Sequence, residues 1–119
     1  MAIGLAALAA PALAHHSYAT FALDRQQTVV GVVHDFRWSN PHAWIEIDVA
    51  NPKGGVTRWS IECNSPNILS RIGWKATSLK PGDKATVVVH PMKDGGSGGS
   101  LISVTLRDGT VLNETAKSL

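Results

Sequence analysis

A single helical signature interrupts a sequence otherwise written in strands, and its position restricts the fold more than any other feature. Ser65 offers a side-chain oxygen for an N-cap, Pro66 suits the first helical position, and Gly73 supplies a stop. Between them Ile68, Leu69 and Ile72 predict the buried stripe of a short helix. Upstream, residues 28–38 (TVVGVVHDFRW) form a long β-branched and aromatic run, with a bulge or sharp bend expected at Gly31. Ser39-Asn40-Pro41 is turn chemistry. Residues 42–49 then alternate, with Ala43, Ile45, Ile47 and Val49 on one face and His42, Trp44, Glu46 and Asp48 on the other, the pattern of a half-buried strand. Residues 51–55 (NPKGG) turn the chain into a strand over 56–63, where Trp59, Ile61 and Cys63 share a face. Beyond the helix, the turn at Lys80-Pro81-Gly82-Asp83 leads into a strand over 84–90. Residues 93–99 (KDGGSGG) read as a flexible loop, 100–107 as the last full strand, and Asp108-Gly109 as a tight hairpin into a short extension over 110–112.

Three strands, one helix and two strands, with a glycine inside a long first strand, is the order of an OB-fold. The expectation is therefore an all-β chain with one short helix: a five-stranded OB-like Greek-key barrel with the helix between strands 3 and 4. A split β-sandwich is the competing architecture. The 44% apolar content suits one small folded domain over residues 15–119 and argues against disorder.

Residues 2–14 are apolar or small and end in Ala12-Leu13-Ala14, the form of a secretory signal peptide with its cleavage site. Residues 1–14 lack Lys and Arg, which leads to the expectation that the natural start lies upstream of Met1. The rival, a buried N-terminal helix, fits an Ala-Leu-Ala end before polar residues less well. The segment is too short to span a bilayer, so a periplasmic or secreted protein without stable membrane insertion is expected. Cys63 is the single cysteine and has no partner within the chain, so a buried structural thiol is the default. A net charge of +2, from 11 basic and 9 acidic residues spread along the chain, is too even for a nucleic-acid footprint.

The chain resembles, over almost all of its length after residue 14, a family of small exported bacterial proteins without assigned function. The resemblance is carried by His15-His16-Ser17-Tyr18, by the run from Phe36 through Trp38-Ser39-Asn40-Pro41-His42-Ala43 to Trp44, and by Trp59-Ser60-Ile61-Glu62. Ser65-Pro66-Asn67, Gly73-Trp74 and the turn ending in Gly82-Asp83 complete it. It implies export and imports no reaction. Cys63 stands where the pattern expects a small residue such as glycine, so no chemistry is hung on that thiol.

On an OB-fold, ligands usually bind the face of strands 2 and 3, between the loops joining strands 1–2 and 4–5. Here those loops carry His42 and His90 at their roots, and the face carries Trp44, Glu46 and Asp48 with Arg58, Ser60 and Glu62. A symmetric turn at 52–55 would set Asp48 opposite Arg58 and Trp44 opposite Glu62. Whether His34 faces this side depends on the parity of the first strand and stays open. Cleavage after Ala14 would give His15 a free α-amine beside its imidazole, a chelate suited to copper. His16, His42 and His90 are candidate completing ligands, and the Met92 thioether suits Cu(I). Against this, both leading histidines read equally as a polar chain start, and no metal-binding spacing is present. The second reading is an interaction module that takes a small envelope ligand or a protein partner through Trp38, Trp44, Glu46 and Glu62. Trp59 and Trp74 read as core. No serine sits in an elbow context and no carboxylate pair stands out from a structural role, so binding rather than catalysis is expected.

Overall fold

The computed structural model describes residues 19–116, so the predicted signal segment, His15 and His16 lie outside the described residues. The elements are β1 (Gln27–Arg37), β2 (Trp44–Ala50), β3 (Val56–Glu62), α1 (Pro66–Arg71), β4 (Lys84–Pro91), β5 (Gly98–Leu106) and β6 (Val111–Asn113). β1 pairs antiparallel with β2 and with β4, β2 with β3, and β4 with β5, while a short parallel contact between β3 and β5 closes the circuit. That is the five-stranded OB-like barrel the sequence predicts. β6 is the expected short extension, antiparallel to β5 beyond the Asp108-Gly109 turn.

Alternation decides which face each strand buries. Ile45 and Ile47 of β2, Ile61 of β3, Val87 and Val89 of β4 and Val104 of β5 are fully buried, and none of the described polar or charged residues is buried. β1 bridges the two halves of the barrel. It pairs with β4 over 27–32 and with β2 over 31–37, and Gly31 stands where the partners overlap. A Cβ there would strike the carbonyl oxygen of Asp48, which is why glycine is needed. The bulge falls three residues later. Val33 pairs with Ile47 and Asp35 with Glu46, so His34 is the extra residue, exposed on the outer face. Parity flips across it: Val33 points inward before the bulge, and Phe36 packs against the core after it.

Ser65 caps α1 by accepting the Ile68 amide, and Pro66 opens the helix. Its end is a Schellman motif, in which Gly73 N–H donates to the Ser70 carbonyl and Trp74 N–H to the Leu69 carbonyl, with Gly73 at φ +101. The buried stripe is narrower than expected. Leu69 is fully buried and Ile72 packs partly against the core, but Ile68 is 45% exposed, because it lies about 100° around the helix from Leu69.

The glycine-rich segment also departs from the expectation of one flexible loop. Gly98 and Gly99 are buried members of β5, paired with Ser60 and Ile61 of β3. A Cβ on Gly98 would lie 2.6 Å from the Ser60 carbonyl oxygen, and one on Gly99 2.5 Å from that of His90. The glycines let β3, β4 and β5 approach closely where the barrel closes. Only the residues between β4 and β5 remain a loop.

Candidate functional site

The outer face of β2 and β3 has the predicted register: Trp44 opposite Glu62, Glu46 opposite Ser60, and Asp48 opposite Arg58. Most of its charge is internally matched. Arg58 donates to both Asp48 carboxylate oxygens at 2.9 and 3.3 Å, which holds that carboxyl below the usual range. The same guanidinium donates to Nδ1 of His34 at 3.0 Å, so the bulge delivers this histidine to the outer face. Arg37 donates to Glu46 at 3.0 Å, and the Ser60 hydroxyl donates to the same carboxylate at 2.6 Å. The Arg37 guanidinium also stands 5.7 Å from the centre of the Trp44 ring, within cation–π range.

A cavity of about 320 Å³ opens at the Trp44 end of this face, lined by Thr20, Phe21, Trp44, Ser60, Glu62, Met92 and Ser97. One wall comes from the N-terminal arm, which joins the end of β4: Phe21 bridges Met92, Ala22 N–H donates to the Pro91 carbonyl, and Lys93 N–H to that of Thr20. Met92 lies over the glycines, and a Cβ on Gly96 or Gly98 would come within 3.2 Å of its sulfur. The glycines therefore serve the cavity as well as the closure.

His42 flanks the cavity's carboxylate. Its Nδ1 donates to the Cys63 carbonyl at 3.0 Å, since a carbonyl only accepts, and its Nε2 stands 3.3 Å from Glu62 Oε1. Behind this corner, Glu114 accepts the Asn64 backbone amide, and its Oε2 is buried without a hydrogen-bond partner among the described residues. Burial, reinforced by the nearby Glu62 charge, raises its carboxyl from 4.5 to about 8. Cys63 is a buried free thiol whose pKa burial pushes well up. That is the structural role expected of it.

The structure thus gathers Trp44, Glu62 and Met92 into one cavity, with His42 beside it and Glu46 on the adjoining rung. It does not bring Trp38 there. Trp38 shares the inward parity of Phe36, whose ring it meets edge-on at 5.7 Å, and packs against the core. His90 is held by the Arg25 carbonyl through Nδ1 at 2.9 Å. It pairs with Ser100, which in turn pairs with Glu62, so it stands two strands along, about 10 Å from the Glu62 backbone. Among the described residues, no three His, Cys, Asp or Glu side chains converge as a metal cluster would. Trp59 packs partly against the core and Trp74 is buried, with its indole N–H donating to the Asn113 carbonyl at 2.8 Å. Phe21 and Ser97 were not legible as site residues. Phe21 reaches the site only through a long-range bridge, which leaves no periodicity in the arm.

A family model described as a family of unknown function (DUF6152) matches residues 3–101. No curated protein matches the chain. Among solved structures, the mitochondrial single-stranded DNA-binding protein Rim1 from S. cerevisiae is similar, with a TM-score of 0.51 at 14% identity, over 70% of this chain and 94% of that one. At that identity the likeness concerns the fold alone, and it agrees with the OB-like barrel. No helix among the described residues is long and apolar enough to cross a membrane.

Proposed function

The chain belongs to the DUF6152 family, whose description assigns no function, and from its own site we propose that it is an exported, non-catalytic binding protein that takes a small ligand in the Trp44 cavity. The observation that carries this reading is the convergence of Trp44, Met92 and Phe21 with the Glu62 carboxylate on the face where OB-folds bind ligands. Export rests on the Ala12-Leu13-Ala14 junction and places the ligand in the periplasm or outside the cell. The absence of catalysis rests on the commitment of Glu46 and Asp48 to Arg37 and Arg58. The same pairing leaves this face without the run of uncommitted cations that a nucleic-acid backbone needs. The direct test uses a chain starting at His15, in which Met92 is the single methionine. Its ¹³C-labelled methyl should shift when envelope small molecules are screened, and Trp44→Ala should abolish the response.

A second reading, a copper site, is favoured by the bridge between Phe21 and Met92. It ties the arm beside the chain's one thioether outside Met1, and His15 lies five positions before Thr20, a reach of at most about 18 Å. His15 would supply its amine and ring, Met92 a soft ligand, His42 its Nε2, with His16 and His90 in reserve. A Cu(II) titration tests it. Sub-micromolar affinity with His15 as first residue, lost when one residue is added before it, supports the chelate. Equal weak binding by both samples removes it.

A further inference from the structure

We propose that the ligand of the Trp44 cavity is a small organic cation, an ammonium or guanidinium group on an apolar body. This rests on the binding reading above and specifies its chemistry. The Glu62 side chain lines the cavity and is only 14% exposed. A carboxylate so far withdrawn from water needs a compensating charge or donors. Its one potential ion-pair partner among the described residues is His42, and that ring is oriented by its Nδ1–H bond to the Cys63 carbonyl. A neutral ring in that orientation presents the lone pair of Nε2, not a proton, to Glu62 Oε1 at 3.3 Å. With the ring neutral, no hydrogen bond from the described residues satisfies the carboxylate.

The cations nearest along the face are already committed. Arg37 serves Glu46 and the Trp44 ring, and Arg58 serves Asp48 and His34. Glu114, behind the corner, adds no positive charge. The remaining walls favour the same class of guest, because the Trp44 indole, the Phe21 ring and the Met92 thioether present polarizable surfaces that attract a cation and bury its carbon body. A cavity of about 320 Å³ holds a phenylethyl-sized molecule.

Three probes of one shape and different charge decide the matter: 2-phenylethylammonium, 2-phenylethanol and 3-phenylpropanoate. Each is titrated at pH 7 into the chain starting at His15, followed at the Met92 methyl and the Trp44 indole N–H. The ammonium should bind about tenfold or more tighter than the alcohol, and the carboxylate weakest. Glu62→Gln should abolish the preference for the ammonium over the alcohol. Equal affinity of the three probes, or a tighter carboxylate, overturns the proposed cation but leaves the cavity as the binding site. An ammonium preference that survives Glu62→Gln overturns the role of Glu62. Silence at both reporters with all three probes overturns this proposal together with the cavity reading. Should Glu62→Gln fail to fold, the wild-type series alone still ranks the charges.

Discussion

Glu114 gives the fold a pH dependence opposite in sign to that of most carboxylates. Its carboxyl moves from 4.5 to about 8 because ionisation would place a charge on a buried oxygen without a partner, near the charge of Glu62. Since the folded value is raised, the folded state holds the proton more tightly than the unfolded chain. The stability it contributes is fully present below about pH 4.5 and declines as pH rises, reaching its full loss near pH 8. The whole shift corresponds to about 5 kcal/mol, and relaxation with water entry reduces the expected loss to about 2–4 kcal/mol. Urea denaturation of wild type and Glu114→Gln from pH 5 to pH 9 isolates this group, because every other titration is common to both proteins. The glutamine keeps an oxygen for the Asn64 amide but cannot ionise, so the stability difference should drift in favour of the variant from pH 5 to pH 8 and then level. Buried amide hydrogens shift its absolute stability without altering that drift. Parallel curves across the range would refute the reasoning and mean that Glu114 finds a partner or water on ionising.

Three other consequences are open to direct measurement. Gly99→Ala should cost about 1–3 kcal/mol by denaturant unfolding, since its methyl has the His90 carbonyl and the Val89 side chain in its path. Ser65→Ala should lose about 0.5–2 kcal/mol with the cap of α1, seen as a lower urea midpoint at unchanged slope. The Cys63 thiol, 2% exposed, should not react with a thiol reagent at pH 8 in the native protein and should titrate as one group in urea.

The barrel was legible because its strands are amphipathic and its helix carries its own punctuation. The alternation of residues 42–49 fixed both the core face of β2 and, through a symmetric turn, the pairing of Asp48 with Arg58. The parity change in β1 was also written in the chain. Inward Val29 and Val33 predict an inward residue 35, yet Asp35 stands there and an aromatic follows at Phe36, which calls for one extra residue between. The expectation placed that irregularity at Gly31, whose actual task is close approach to Asp48. Gly98 and Gly99 misled for a related reason: glycine marks both loops and places where backbones crowd, and only tertiary context separates the two. Of the site, Trp44 and Glu62 followed from strand parity and Met92 from its loop. The remaining wall did not, because Phe21 enters through an arm whose pairing with Met92 is non-local.

The central claim is that the cavity between Trp44, Met92 and Phe21 is where this chain meets its ligand. The most direct measurement is the ¹³C-methyl spectrum of Met92 in the chain starting at His15, recorded as 2-phenylethylammonium, 2-phenylethanol and 3-phenylpropanoate are added in turn and repeated with Trp44→Ala. The account predicts a saturable shift of the methyl signal with at least one of the three in the wild type and none in the variant. A methyl signal that stays in place with all three, or moves equally in both proteins, would contradict it.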